Sequence, residues 1–428
     1  MLEPDLCYRA LQTRDRRFDG RFFVAVRSTG VFCRPICPAR TPRSENCLFV
    51  ASAAAAREAG FRPCLRCRPE AAPGTPAWAG TSATVGRALR LIDSGVLDEG
   101  DVDALAARLG VGSRHLRRLF AQHVGASPRS VAQTRRVLFA KKLIDETDLS
   151  MVEVALAAGY TSVRRFNAAV RGAYGRPPRD LRRRRSAGAG RPSELTLHLT
   201  YRPPLAFDEL LAFLAFRAIP GVESVEAGCY RRTIEVDGVP GRLTVRQAGK
   251  PPALTVTVAL AEPAPLVALV GQVRRLFDLE ADPASIDAHL AADPILAHVV
   301  AAHPGLRVPG AFDGFELAVR AILGQQVSVR GATTLAGRLV ERFGTPCPGE
   351  SDAAVSRLFP RPERLARARV EAIGLPAARA GAIRALARAV ASGDLVLDGS
   401  ADLDETCAAL EALPGIGPWT SAYVAMRA

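Results

Sequence analysis

The chain has 428 residues, which at roughly 150 residues per domain predicts about three domains, or four smaller ones. Hydrophobic residues make up 48% and charged residues 23%, enough for packed cores, so wholesale disorder is excluded. The net charge of +14 is uneven: residues 1–186 hold 33 Lys/Arg against 17 Asp/Glu, and the remainder 24 against 26. A generally arginine-rich proteome would spread basicity evenly. A +16 part joined to a −2 part instead predicts a polyanion-binding module attached to a near-neutral one.

Met1-Leu-Glu-Pro-Asp5 has no basic segment followed by an apolar run, so no signal peptide is expected. No stretch reaches the roughly 18 apolar residues of a membrane span, and Leu210–Phe216 fits a buried helix. A soluble, cytoplasmic protein with no membrane partner is expected. Nine cysteines in a reducing compartment then read as metal ligands or nucleophiles, with most of the single ones buried.

Four domains are predicted: 1–72, 81–185, 194–280 and 281–428. Pro/Gly/Ala-rich 69–80 and basic, Gly-containing 182–193 read as linkers, and a softer break lies near 278–284. The first domain mixes short strands such as Phe22–Val26 with cysteine-bearing loops. The second reads as helices with Gly-containing turns. In the third, strands at 194–200, 229–236, 242–247 and 253–260 accompany a helix over 208–217, and the fourth reads as helical throughout. The expected fold class is multidomain α+β: a small zinc-bound α/β domain, an all-α paired helix-turn-helix domain, an α+β domain, and an incomplete all-α helix-hairpin-helix domain.

Cys33-Arg-Pro-Ile-Cys37 and Cys64-Leu-Arg-Cys67 form a C-x3-C and C-x2-C set with 26 residues between the pairs. Four thiolates on two tight turns suit tetrahedral Zn²⁺, and spacing alone leaves a purely structural zinc open. The flanking sequences Val26–Arg40 and Ala59–Pro69 resemble the N-terminal domain of the Ada adaptive-response proteins over about residues 3–70. That resemblance implies that Cys33, Cys37, Cys64 and Cys67 bind zinc. It also implies that Cys33 accepts a methyl group from methylphosphotriesters in DNA, and that Arg40 and Arg66 contact DNA. Methylating one thiolate takes a formal −2 site to −1, which predicts tighter DNA binding and a sensor role.

Asp101–Gly110 reads as a helix ended by Gly, followed by Ser113–Val124 with Ser113 as its N-cap. The pattern recurs in Ser150–Tyr160 and Thr161–Arg171, with a basic helix, 134–142, between the two. The second helix of each pair leaves Arg114, Arg117 and Arg118, or Ser162, Arg164 and Arg165, on the outer face, where a recognition helix meets the major groove. Residues 84–181 resemble the AraC-family DNA-binding domain, which implies promoter operator DNA as a partner and RNA polymerase as a further one.

Leu413-Pro-Gly-Ile-Gly-Pro-Trp-Thr420 is a tight hairpin whose Gly415 and Gly417 let backbone N–H groups approach a phosphate. It resembles the helix-hairpin-helix of DNA glycosylases. With Tyr201–Phe207, Gly305–Gly310 and Phe315–Ser328, residues 194–428 look like the AlkA type of 3-methyladenine DNA glycosylase. The resemblance implies base flipping and excision of alkylated purines, Gln326 as the wedge, and Trp419 and Tyr423 in the base pocket. Trp419 stands where bifunctional relatives carry a Schiff-base lysine; Lys141, Lys142 and Lys250 are the only lysines, so lyase chemistry is not expected.

The family's catalytic Asp would fall about 20 residues past the hairpin, beyond Ala428. The chain as given is therefore expected to excise bases weakly or not at all and to expose part of its core. The partners expected are alkylated and operator double-stranded DNA, with Zn²⁺ as the one cofactor and no small-molecule cofactor. An alternative stays open: a methylation-sensing transcription activator whose glycosylase half is inactive in this chain.

Overall fold

The computed structural model describes residues 2–73, 83–182, 194–249, 252–260, 266–349 and 354–427. Both expected linkers therefore fall partly outside the described residues, as does Lys250.

The N-terminal part holds α1 (Pro4–Thr13), β1 (Phe23–Val26), β2 (Val31–Cys33), β3 (Cys47–Val50), α2 (Ala53–Glu58) and β4 (Arg62–Pro63). Its sheet runs β3-β1-β2-β4, antiparallel except for the last pair. Phe23, Ala25 and Phe32 face α2 and its alanines, while Phe22, Val24 and Val26 cover α1. Two opposite faces of one short sheet are thus both buried, as the alternation of side chains along a strand requires.

Helices follow: α3 (Ala83–Asp93), α4 (Val96–Glu99), α5 (Val102–Arg108), α6 (Ser113–His123), α7 (Pro128–Glu146), α8 (Met151–Ala157), α9 (Val163–Tyr174) and α10 (Pro178–Leu181). The expected Ser113 cap is corrected: Gly112 is the N-cap of α6, and no side chain caps it. In the second pair the cap is complete. Ser150 Oγ accepts the Glu153 N–H at 3.3 Å and the Glu153 carboxylate accepts the Ser150 N–H at 2.7 Å.

The basic helix expected over 134–142 lies within α7, and its cations point inward. Arg135 pairs with Asp93 at 2.8 Å and Arg136 with Asp98 at 3.5 Å. Lys141 and Lys142 are buried against Asp145 and Glu146, one helical turn on. Lys142 also donates to the His198 carbonyl, and Glu146 accepts the His198 N–H at 2.9 Å.

His198 lies on β5 (Glu194–Thr200), the edge of a five-stranded antiparallel sheet ordered β5-β9-β8-β7-β6. The other strands are β6 (Glu223–Glu226), β7 (Cys229–Val236), β8 (Val239–Gln247) and β9 (Ala253–Leu260), with α11 (Phe207–Ala215) and α12 (Leu266–Leu276) packed alongside. Helix α7 therefore blunts the exposed edge with charged side chains, a usual defence against edge-to-edge pairing. One continuous apolar core runs from Val137 on α7 through α8 and α9 into this sheet.

The last part contains α13 (Pro283–Leu290), α14 (Pro294–Ala302), α15 (Gly314–Leu323), α16 (Val329–Phe343), β10 (Thr345–Pro346), β11 (Arg357–Leu358), α17 (Pro362–Leu365), α18 (Ala377–Ser392), α19 (Leu403–Glu411) and α20 (Pro418–Arg427). It is not helical throughout, since β10 and β11 pair antiparallel. Its core gathers apolar faces of α15, α16, α18 and α20. A buried ionic group seals it to the sheet. Arg232 pairs with Glu316 at 2.7 Å, Arg320 pairs with Glu223 at 2.8 Å, and the Tyr230 hydroxyl donates to Glu223 at 2.6 Å.

No helix among the described residues is long and apolar enough to cross a membrane. The single cysteines are mixed: Cys7 and Cys347 are buried, but Cys47, Cys229 and Cys407 are partly exposed, against the expectation that most are core residues.

Candidate functional site

Strands β2 and β4 lie parallel, pairing Val31 with Arg62 and Phe32 with Pro63, so they end side by side. Cys33 closes β2, and Cys64, whose N–H donates to the Phe32 carbonyl at 3.0 Å, directly follows β4. Each strand then turns sharply. The Cys37 N–H donates to the Arg34 carbonyl at 3.1 Å, and the Arg68 N–H to the Cys64 carbonyl at 3.2 Å. The two turns fold Cys37 and Cys67 back over the strand ends.

All four sulfurs lie within 4.8 Å of one another. A tetrahedral Zn²⁺ with bonds of about 2.3 Å needs sulfurs about 3.8 Å apart, so four soft donors on rigid turns fit that ion. The sulfurs are not equivalent. Cys67 Sγ accepts the Arg34 N–H at 3.4 Å, Cys64 Sγ accepts the Arg66 N–H at 3.4 Å, and Cys37 Sγ accepts from the Ala39 backbone. Among the described residues no backbone N–H donates to Cys33 Sγ. Cys37 and Cys67 are buried, whereas Cys33 and Cys64 are partly exposed.

Hydrogen bonding among the sulfurs splits the protons unevenly. Contact with Cys33 draws Cys37 down to about 7 and Cys64 well below the usual thiol range. Contact with Cys37 pushes Cys33 up, and contact with Cys33 pushes Cys67 up. A cation bound by the four sulfurs releases their remaining protons.

Arg40 and Arg66 are exposed beside the cluster. Arg114, Arg117 and Arg118 stand in solvent on α6, with Leu116 and Phe120 buried behind them. Arg164 and Arg165 are likewise exposed on α9 over buried Phe166 and Val170, and Ser162 is the N-cap position of that helix.

At the hairpin, α19 and α20 flank Pro414–Gly417, anchored by buried Ile416. Gly415 has φ +80°, a left-handed conformation that favours glycine, and an added Cβ would sit 3.2 Å from Ala382 Cβ. Gly417 has ordinary φ and open space around its Cα, so the chain's own packing does not require glycine there. Gln326 is exposed at φ +55°, in the turn between α15 and α16. Its neighbour Gln325, which the sequence did not single out, donates to the Gly415 carbonyl at 2.8 Å and to Thr420 Oγ1 at 3.3 Å. That bond brings the Gln326 turn to the hairpin. Trp419, 74% exposed, stacks on Tyr423 with ring centroids 5.6 Å apart and planes 6° from parallel.

Three family models match. They are the metal binding domain of Ada over residues 6–70, a helix-turn-helix domain over 105–184, and the AlkA N-terminal domain over 196–313. A Mycobacterium tuberculosis protein named "Probable bifunctional transcriptional activator/DNA repair enzyme AlkA" is 43% identical over 425 residues, 98% of this chain and 85% of its own. The chain belongs to that bifunctional Ada–AlkA family.

Two separate Escherichia coli proteins each match one part of this family member. DNA-3-methyladenine glycosylase 2 is 34% identical over 54% of this chain and 79% of its own. The bifunctional transcriptional activator/DNA repair enzyme Ada is 38% identical over 32% of this chain and 37% of its own. In this bifunctional chain the four-cysteine cluster is a zinc site.

Proposed function

We propose that this chain reads, signals and repairs alkylation of duplex DNA in the cytoplasm. Cys33 Sγ attacks the methyl carbon of a methylphosphotriester; the S–C bond forms as the C–O bond breaks, and a phosphodiester anion leaves. The thioether has no easy return path, so each chain reacts once. Zn²⁺ held by Cys33, Cys37, Cys64 and Cys67 would keep the sulfurs deprotonated at neutral pH. One observation carries the assignment: Cys33 is the partly exposed sulfur that no backbone N–H donates to. An N–H···S bond stabilises the thiolate and lowers its nucleophilicity, so Cys33 is the most reactive of the four.

Methylating Cys33 removes one negative charge and eases repulsion between the cluster and phosphates. Arg40 and Arg66 then hold the backbone beside it. Arg114, Arg117 and Arg118 on one helix, and Ser162, Arg164 and Arg165 on another, read operator DNA, with RNA polymerase recruited there. In the glycosylase half, backbone N–H groups at Gly415 and Gly417 hold a phosphate and Gln326 fills the gap left by a flipped nucleotide. Trp419, backed by the stacked ring of Tyr423, takes an alkylated purine on its open face, whose π-density suits a cationic base.

The test treats the zinc-loaded chain with duplex DNA carrying a methylphosphotriester. Peptide mass spectrometry is expected to find one methyl group, on Cys33, and operator affinity should rise with it. A chain that stays unmethylated at Cys33 sinks the reading.

A further inference from the structure

Arg34 lies inside the first cysteine turn, yet it is only 7% exposed, and Asp19 only 4%. The two form a two-point pair, Nε donating to Oδ1 at 2.8 Å and Nη2 to Oδ2. The remaining guanidinium nitrogen donates to the Cys67 carbonyl at 3.2 Å, and the Arg34 backbone N–H donates to the Cys67 sulfur. One residue thus ties the first turn to the second by both backbone and side chain.

Asp19 is itself held firmly. Its N–H donates to the Arg16 carbonyl at 3.2 Å, and the next residue, Gly20, sits so close to Pro73 that a Cβ would fall 2.0 Å from the carbonyl oxygen. Strands β2 and β4 pair over two residues only, too little to fix the turns they lead into. Charge matters too. A free guanidinium beside thiolates would draw on their electron density and slow their attack.

We propose that Asp19 and Arg34 are a positioning pair for methyl transfer. Arg34 keeps Cys67 hydrogen-bonded so that Cys33 is the sulfur left free, and Asp19 neutralises the guanidinium and holds it off the cluster. The proposal rests on the acceptor reading above and places selectivity for Cys33 in residues outside the metal-ligand set.

The test uses the zinc-loaded full chain and methyl iodide, a small donor that needs no DNA: the S–C bond forms, the C–I bond breaks and iodide leaves. The native chain is expected to carry its methyl group on Cys33. Replacing both partners, Asp19→Leu with Arg34→Met, removes the paired charges together and leaves buried Arg202 its Asp282 neighbour. That variant should keep one zinc per chain but divide the methyl group between Cys33 and Cys67. A purely structural pair would not move that division. Asp19→Asn keeps the shape and frees the charge; Cys33 should remain the site, with transfer about fivefold slower.

A paired variant that holds zinc and still methylates Cys33 alone overturns the proposal, as does native-rate transfer in Asp19→Asn. Should the paired variant lose zinc, the Asp19→Asn rate decides. A native chain that methyl iodide alkylates indiscriminately also overturns it. Reaction at Cys33 with methyl iodide but not with methylphosphotriester DNA would sink the acceptor reading alone.

Discussion

At the cysteine cluster two of four ligands are buried and three sulfurs already accept hydrogen bonds, whereas at the hairpin Pro414, Gly415, Gly417 and Trp419 stand in solvent. The first site keeps its order within two short turns. The second is an open surface held from behind, by Ile416, by Gln325 and by the helices packed under α20. The difference fits the chemistry proposed for each. A methyl acceptor needs one exposed atom on a rigid mount, while a site for a flipped base needs flat faces that the partner itself completes.

Removing a ligand should separate the two most sharply. Cys67→Ala is expected to lose zinc and, with it, metal-linked folding energy on the order of 10 kcal/mol, read as lost zinc content and an early melting transition. Trp419→Ala should change stability by less than about 0.5 kcal/mol and act on binding to DNA that holds an alkylated base. Equal losses of stability in both variants would break the comparison.

The hairpin half has its own rigid element, set back from the surface. Glu223 is buried; desolvation pushes its carboxyl up, but Arg320 and Arg232, with the Tyr230 hydroxyl, outweigh that and hold it below the usual carboxylate range. A depressed folded value means the stabilisation is complete above the unfolded value, about 4.3, and is lost as pH falls through the folded value. Chemical denaturation should therefore show stability dropping below about pH 4. Glu223→Gln, which leaves Arg232 and Arg320 to share the single carboxylate of Glu316, should cost about 3 kcal/mol at neutral pH and flatten that acid slope.

The two hairpin glycines sharpen the contrast between folding and binding. Gly415→Ala meets a left-handed backbone and a close Ala382, so a loss of about 1–2 kcal/mol in thermal unfolding is expected. Gly417→Ala has room and should leave the melting temperature in place while weakening retention on DNA. A Gly417 variant that melts early would move that residue from the binding side to the folding side.

Much of this was legible in the sequence because the decisive signals are local. Cysteine spacing gave the zinc site, and Leu116, Phe120, Phe166 and Val170 at helical spacing gave both outward arginine faces. What stayed hidden depends on partners distant in the chain. Asp19 reaches Arg34 from a loop, with no repeat or spacing to announce it. Helix α7 was expected as a basic helix, but residue type alone does not say where its cations point: Asp145 and Glu146 stand four residues beyond Lys141 and Lys142, the spacing of internal pairs. Strand β6 was missed because Glu223 and Ser224 are buried polar residues that break the apolar alternation.

The smallest effect separates two serines that look alike in sequence. Each opens the second or first helix of a helix-turn-helix pattern, but only Ser150 has a side chain that accepts a helix N–H, with Glu153 returning the bond. Ser150→Ala should cost about 1 kcal/mol, and Glu153→Ala should remove much of the same stabilisation, because the box is reciprocal. Ser113→Ala should stay within about 0.5 kcal/mol, since that residue lies inside the helix and caps nothing. Equal shifts in denaturant midpoint for the two serines would mean that α6 gains a cap in solution, and the first recognition helix would then start one residue later.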